Sequence, residues 1–338
     1  MVKLKDLAAQ LGLSQTTVSR ALNGYPEVSE ETRARVVEAA LRSGYRPNAS
    51  ALRLATGRAG AIGFVLEKSG ELHASEFLIG MGQRLAPEEV DIVVSPLEAD
   101  HDEDGVYKRL AASQKVDAMV LHSPTPDDPR IDLLHDLDMP FIVHGRSEGA
   151  APHAWLDIDN ESAFRQATSE LLSLGHRRIA NISGPKGRSY VAHRDAGYRE
   201  ALADFDIACD PELMCYGIFS DEQGFRFANA LLDLPDPPTA FLAGSMMTAL
   251  GIFRAVRSHG LELGRDVSLI AHDDEFPYLN ASAMVPAIST TRSSMRAAGI
   301  RIAELALEIL AGRPPEDINE LWPVELVLRE STAPAPKR

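Results

Sequence analysis

Short polar side chains lie close together between Ser14 and Asn23, and their types suit contacts with nucleic acid. Gln15 and Arg20 can each form paired hydrogen bonds to a base, glutamine to adenine and arginine to guanine, and Thr16 can join them at the base edges. The smaller polar side chains suit phosphates, which fix the register of a protein on DNA without reading its sequence. These predicted phosphate contacts are Ser14, Thr17, Ser19 and Asn23. The segment therefore predicts recognition of double-stranded DNA.

Three short helices are predicted to position these side chains, because apolar residues recur there at helical spacing. Their predicted ranges are 3–11, 15–23 and the stretch between a Ser29 cap and Gly44. A helix-turn-helix needs a small residue where its helices cross, a glycine at the turn and an apolar anchor in the second helix. Ala8, Gly12 and Val18 meet these needs, and the second helix would enter the major groove. The alternative is a plain three-helix cap with a solvated polar face.

The distribution of charge supports the DNA-binding interpretation, although the net charge of the whole chain is -15. The first 58 residues contain nine basic and five acidic side chains, a net charge of +4, which leaves -19 for the remainder. DNA binding needs local positive potential, because contacts to phosphates dominate affinity. An acidic remainder would be repelled by the duplex and held away from it. A small basic module joined to a large acidic one is therefore predicted.

From residue 61 onward, apolar runs of strand length alternate with helical patterns. The predicted strands are 61–66, 91–95, 118–122, 140–144, 178–183, 240–243 and 268–271, and the predicted helices include 76–85, 103–114 and 161–174. Alternation of this kind predicts an α/β fold with parallel sheets flanked by helices. About 270 residues of it would form two lobes, with a ligand cleft between them at the carboxyl ends of the strands.

Three segments resemble the LacI/GalR family of bacterial repressors. They read VKLKDLAAQLGLSQTTVSRALNG, YRPNASALRLATGRAGAIGFV and LLSLGHRRIANISGP, and together the resemblance covers nearly the whole chain. It implies a helix-turn-helix headpiece over 1–46, a hinge helix and linker over 47–58, and a two-lobed domain with the periplasmic-binding-protein fold over 59–338. That last domain would bind an effector and dimerise.

The resemblance also assigns roles to the hinge segment and to the operator. A leucine from each hinge helix, Leu54 here, would open the central base step from the minor groove. Ala51 would lie one turn before it at the groove floor, and Arg53 would add a contact. We expect a homodimer on a pseudo-palindromic operator with a central CG step. Plain linker roles for the hinge leucines are the alternative.

Effector-binding residues are implied by the same resemblance. Arg194 in HRDAGY and Asp273 in IAHDDE would bond sugar hydroxyls, Phe219 would stack on the ligand, and Met295 would contact it. Core packing, a loop cap and pairing with a neighbouring acid are the alternatives for Phe219, Asp273 and Arg194. Positions that depart from the family pattern, or that we place at the cleft on weaker grounds, are Ser245, Met246, His144, Arg146 and Ser69. His144 and Arg146 could equally have buried structural roles.

The sequence motifs typical of other protein classes are absent here. There is no GxGxxG after the first strand, no P-loop and no GxSxG elbow, so an enzyme is not expected. Cys209 and Cys215 have no histidine at metal-ligand spacing, so neither a metal nor a cofactor is predicted. With no secretory signal or transmembrane stretch, we expect a cytoplasmic repressor controlled by a small molecule, with a sugar as the expected effector. The alternatives are a sugar-binding module without DNA function and a regulator that needs a corepressor.

Overall fold

The computed structural model describes residues 2–22, 25–45, 58–67, 71–97, 102–273 and 275–337. The chain divides into two compact units, Met1–Ala59 and Gly60–Arg338. The predicted boundary between residues 46 and 47 falls outside the described ranges and stays a prediction.

The smaller unit contains the three predicted helices. They are α1 (Leu4–Leu11), α2 (Gln15–Leu22) and α3 (Glu30–Ser43). Leu7, Val18 and Val36 are fully buried in one apolar cluster that holds the helices together. The ends also match the prediction: Gly12 and Gly44 adopt left-handed conformations after α1 and α3, with φ of 66° and 62°.

The first lobe of the larger unit is a six-stranded parallel sheet. Its strands are β1 (Ala61–Glu67), β2 (Asp91–Leu97), β3 (Ala118–His122), β4 (Phe141–His144), β5 (Trp155–Ile158) and β11 (Asn319–Trp322). Its helices are α4 (Glu71–Leu85), α5 (Glu103–Ala112), α6 (Pro129–Asp136) and α11 (Met295–Leu310). The strand order is β11-β5-β4-β3-β1-β2, and one apolar cluster packs on each face of the sheet.

The second lobe repeats this plan. Its strands are β6 (Ile179–Ser183), β7 (Met214–Tyr216), β8 (Ala240–Ala243), β9 (Ser268–Asp273), β10 (Ser289–Arg292) and β12 (Glu325–Val327). Its helices are α7 (Asn160–Ser173), α8 (Ser189–Asp204), α9 (Asp221–Leu232) and α10 (Met246–Ser258). The order is β12-β10-β9-β8-β6-β7, and only the β10–β12 pair is antiparallel.

The chain passes between the lobes three times: from β5 into α7, from β10 into α11, and from β11 into β12. These crossovers place the carboxyl ends of both sheets on the two sides of one cleft. The predicted fold class is therefore confirmed. The seven predicted strands are present with ends shifted by at most two residues, but β5, β7, β10, β11 and β12 were not predicted.

Candidate DNA-binding helix and effector cavity

Helix α2 presents the predicted base-reading side chains to solvent. Gln15, Thr16 and Arg20 are all exposed, while Val18 and Ala21 on the opposite face are buried. The polar face is therefore available for contacts outside the headpiece.

The predicted phosphate contacts lie beside that face where the structure describes them. The Oγ of Ser14 accepts the backbone N–H of Thr17 at 3.0 Å and bonds the Oγ1 of Thr17 at 2.8 Å, which caps α2. Ser14 is exposed, and Thr17 and Ser19 are half-buried. Asn23 and the predicted hinge contacts lie outside the described residues. Those hinge contacts are Ala51, Arg53 and Leu54.

A cavity of about 140 Å³ lies between the two lobes at the carboxyl ends of their strands. One water needs roughly 10–15 Å³ measured in the same way, so the cavity admits a small organic ligand. Its walls combine apolar and aromatic side chains with polar and charged ones, which can fix the orientation of a small ligand.

Arg194 from α8 forms the polar centre of the second-lobe wall. Its Nε donates to the Oδ1 of Asn160 at 2.7 Å, and its Nη1 donates to the carbonyl oxygen of Gly244 at 2.9 Å. These two acceptors are neutral oxygens, and the side chain is buried. The hydrogen bonds hold the planar fork in one orientation at the cavity.

Three aromatic rings surround the guanidinium of Arg194. Its Cζ lies 5.0 Å from the ring centroid of Phe164, 5.1 Å from that of Tyr190 and 5.9 Å from that of Phe219. Tyr190 and Phe219 also line the cavity. An aromatic surface next to a donor fork suits a sugar ring, which has apolar C–H faces and a polar rim.

Two stacked histidines form part of the first-lobe wall. The ring centroids of His122 and His144 lie 5.0 Å apart, the rings are tilted by only 12°, and their Nδ1 atoms are 3.0 Å apart. One of the two Nδ1 atoms must carry a proton and donate to the other, because two lone pairs would repel. His144 also packs on Phe77 with centroids 4.7 Å apart, so it both lines the cavity and supports its wall.

Arg146 contacts an acidic side chain that lines the cavity. Its Nε donates to the Oδ2 of Asp157 at 3.0 Å, and Asp157, not Arg146, lines the cavity. Burial raises the pKa of the Asp157 carboxyl, although His193 and Arg146 oppose that shift. The sequence leaves both a cleft contact and a buried structural role open for Arg146; the side chain is half-buried and positions Asp157 rather than lining the cavity itself.

Ser245 and Met246 are not on the cavity wall either. Ser245 is fully buried, and its Oγ accepts the N–H of Thr248 at 3.2 Å as the N-cap of α10. Met246 is fully buried in the core of the second lobe. Their predicted contact with the effector is replaced by roles in capping and packing.

The remaining predicted effector residues fall into two groups. Phe219 and Met295 line the cavity together with Arg194 and His144. Ser69 and the side chain of Asp273 lie outside the described part of the chain, although Asp273 is the last residue of β9.

The cavity also contains residues that sequence reasoning missed. Among them are His122, Asp157, Asn160, Tyr190 and His272. The Nδ1 of His272 bonds the Oγ1 of Thr291 at 2.9 Å, and its Nε2 bonds the Oγ of Ser293 at 3.2 Å. His122 had a usable signal, because it is the last residue of a correctly predicted strand, where ligands of this fold class bind.

Two kinds of feature are absent from the residues that the structure describes. No helix there has the length and apolar character needed to cross a membrane. In the same ranges, no three His, Cys, Asp or Glu side chains are grouped as a metal site would require.

Both units match known protein families. Residues 3–48 match the family described as bacterial regulatory proteins, lacI family. Residues 59–321 match the family described as periplasmic binding proteins and sugar binding domain of LacI family.

Curated relatives match over almost their whole length. The HTH-type transcriptional regulator AglR of Rhizobium meliloti is 45% identical, covering 100% of this chain and 96% of its own. The regulator CelR of Thermobifida fusca is 32% identical, with 97% of each chain covered.

Solved structures of similar proteins include a CelR–cellobiose complex and a lac repressor dimer bound to operator and the anti-inducer ONPF. The first is 29% identical with a TM-score of 0.73, covering 98% of this chain and 100% of that one. The second is 26% identical with a TM-score of 0.84, covering 98% and 99%. The chain belongs to the LacI family of bacterial transcriptional regulators.

Proposed function

We propose that the protein is a transcriptional repressor that binds an operator as a homodimer and is controlled by a sugar bound between its lobes. The observation that carries this proposal is the cavity around Arg194. It combines an oriented donor fork with aromatic faces, in a chain that also has an exposed polar recognition helix.

On the DNA side, Gln15, Thr16 and Arg20 read base edges in the major groove, while the predicted hinge contacts open the central step. Two copies are needed, because a two-fold operator requires a two-fold protein. A repressor acts where bacterial DNA lies, so we place the protein in the cytoplasm.

On the effector side, Arg194 and Asn160 bond hydroxyl groups while Phe219 and Tyr190 cover a face of the ring. CelR has been solved with cellobiose, so a disaccharide is a reasonable first ligand to try. The cavity groups are used for binding and lobe closure, and we propose no catalysed reaction. Sugar binding shifts the population of lobe arrangements and thereby releases the operator.

The test is fluorescence anisotropy of a labelled duplex, selected from random sequence and titrated with the full chain over a salt series. Cellobiose, raffinose, maltose and a panel of monosaccharides are then added to the preformed complex. We expect tight, salt-sensitive binding that one of the sugars weakens about 5- to 150-fold.

Two arginine variants separate base reading from general charge. Arg20→Ala should weaken binding by about 1–3 kcal/mol and relax the preference at one base pair. Arg42→Ala is the matched control, because Arg42 is an exposed arginine of α3 paired with Glu38. Equal effects of the two variants would reject α2 as the reading helix. A sugar that tightens the complex would instead identify a corepressor, and absence of any selected duplex would leave a sugar-binding module.

A further inference from the structure

The two lobes contact each other directly at the mouth of the cavity. The Nη1 of Arg188 donates to the carbonyl oxygen of Ser123 at 2.8 Å. The backbone N–H of Ser189 donates to the carbonyl oxygen of Pro124 at 2.9 Å. Because Ser123 and Pro124 belong to the first lobe and α8 to the second, the structure is in a closed arrangement.

A third contact between the lobes contains groups that can bind a proton. His193 on α8 lies between two carboxylates of the first lobe. Its Nε2 is 2.6 Å from the Oε1 of Glu148, and its Nδ1 is 3.7 Å from the Oδ2 of Asp157. His193 and Asp157 are buried, with 9% and 4% of their surfaces exposed, whereas Glu148 is exposed.

Neutral histidine cannot satisfy both carboxylates. If Nε2 carries the proton and donates to Glu148, the lone pair of Nδ1 faces the Oδ2 of Asp157 across 3.7 Å. A proton on either of those two atoms removes the repulsion and creates an attractive pair. Bringing the lobes together therefore favours the uptake of one proton, whereas separating them does not.

The surrounding charges leave this conclusion in place. In the first lobe, the Nε of Arg146 is 3.0 Å from the Oδ2 of Asp157 and 3.9 Å from the Oε1 of Glu148. Its positive charge therefore partly compensates the negative charge of both carboxylates. Helix α7, which packs against α8, carries Glu161 and Arg165, and α8 itself carries Arg194 and Asp195 beside His193 in the sequence. Burial raises the pKa of Asp157 despite Arg146, which agrees with proton uptake in the closed form.

We propose that His193, Glu148 and Asp157 form a proton-binding latch that holds the two lobes closed over the effector cavity. The closed fraction then rises as the pH falls, because the closed form binds one proton more than the open form. Asp157 lines the cavity, so the latch also positions one wall of the effector site. If the proposed function holds, affinity for an effector that binds the closed form rises in the same direction.

The test measures closure without sugar or DNA, so its result is independent of the operator assay. Spin labels are placed on the full chain at Asp132→Cys on α6 and Glu222→Cys on α9, both exposed positions. Cys209→Ser and Cys215→Ser remove the native thiols. Distances between the labels are measured by pulsed electron paramagnetic resonance from pH 8 to pH 6. We expect the ratio of short to long distances to rise about 5-fold.

Three variants assign the effect to the latch. His193→Gln keeps a donor for Glu148 but cannot take the proton itself, which leaves only Asp157 to bind one, so the pH dependence should weaken. Glu148→Gln, at an exposed position that tolerates change, should reduce it. His259→Gln is the matched control, because His259 pairs with Asp233 within the second lobe and should leave the dependence intact. A pH-independent distance ratio in the parent chain, or an unchanged dependence in His193→Gln, would overturn the proposal.

Discussion

At the scale of single residues, Arg194 shows how one side chain can join the two sides of the cleft. Its partner Asn160 is the first residue of α7, directly after the crossover from the first lobe, and its partner Gly244 follows β8 in the second lobe. A ligand that hydrogen-bonds this guanidinium therefore contacts a side chain that is already bonded to the start of α7, where the chain enters the second lobe. We therefore expect binding at Arg194 to affect the relative position of the lobes.

Arg194→Lys should abolish most of the sugar affinity. A lysine ammonium can replace one of the two hydrogen bonds but neither the fork nor the stacked face, and hydrogen bonds to charged groups contribute about 1.5–3 kcal/mol. We expect affinity for the active sugar to fall about 10- to 100-fold in isothermal titration calorimetry. Arg165→Lys is the control, because Arg165 is exposed and pairs with acids on the surface. Unchanged sugar affinity in Arg194→Lys would remove Arg194 from the site.

His176 links a helix end to the C-terminal segment through its neutral form. Its Nδ1 bonds the Oγ1 of Thr239 at 2.8 Å, and its Nε2 is 3.0 Å from the Oγ of Ser268 and 3.1 Å from the carbonyl oxygen of Ala333. Burial lowers the pKa of His176, while the bond to Ala333 opposes that shift. The unfolded chain therefore takes the proton first as the pH falls. The stability that His176 contributes is present at neutral pH and is lost as the pH falls below about 6.5.

His176→Gln should therefore reduce the loss of unfolding free energy between pH 7 and pH 5, measured by urea denaturation. His259→Gln provides an opposite control. The backbone bond to Ala255, followed by the bond to Asp233, raises the pKa of His259, so its contribution is present at low pH and lost as the pH rises. Removing His259 should make the loss on acidification larger. The same change of slope in both variants would contradict this assignment.

At the scale of elements, pairs of helices approach closely through glycines. A Cβ added to Gly299 of α11 would lie 2.0 Å from the carbonyl oxygen of Phe77 in α4, and one added to Gly80 of α4 would lie 2.1 Å from the carbonyl oxygen of Arg296. Backbone atoms cannot move aside as a flexible side chain can. Small residues at these crossings therefore set the distance between α4 and α11, and with it the packing of the first-lobe core.

Gly299→Ala should destabilise the protein by at least about 1–3 kcal/mol, the usual cost of overpacking, as measured by chemical denaturation. Gly82→Ala on the same α4 is the control. A Cβ at Gly82 meets no atom within 4 Å, so alanine should stabilise the helix by roughly 0.5–1 kcal/mol. If Gly299→Ala were also stabilising, the helices would have to separate without loss, and the close-approach argument would fail.

The elements that the sequence predicted are those with strong local signals. The headpiece helices have apolar periodicity and glycine stops, and β3, with four of its five residues buried, lies at the predicted range. The missed strands β11 and β12 are short and only half-buried, so their sequences have no continuous apolar run. They form because the chain crosses between the two lobes once more and pairs with strands of sheets that already exist. This pairing is a long-range effect.

The cavity was predictable where the family pattern and local position agreed. Arg194, Phe219 and Met295 line it as the resemblance implied. Ser245 was misplaced because an N-cap and a ligand contact need the same short polar side chain after a strand, and local sequence does not distinguish them. Asp157 was missed because its strand β5 was missed.

At the scale of the whole molecule, the chain joins a small basic DNA-reading unit to a large acidic ligand-binding unit. Near a duplex, the net charge of +4 on the first unit favours association, whereas the net charge of -19 on the remainder opposes it. Specific binding must therefore come from the headpiece contacts. In the function that we propose, communication between the units depends on the lobe arrangement that the three crossovers permit. Any ligand that favours one arrangement must act on both sites.

Reciprocity between the two sites gives the prediction for the intact protein. If a sugar weakens operator binding by some factor, saturating operator must weaken sugar binding by the same factor, because coupling between binding sites is symmetric. Calorimetric titration of that sugar into the protein, with and without the selected duplex, measures the second factor. Anisotropy measures the first, and a scrambled duplex is the control for bulk charge. Equal sugar affinity with and without the operator would mean that the sugar site seen by calorimetry is not the site that causes release, and the cavity around Arg194 would then need a different role.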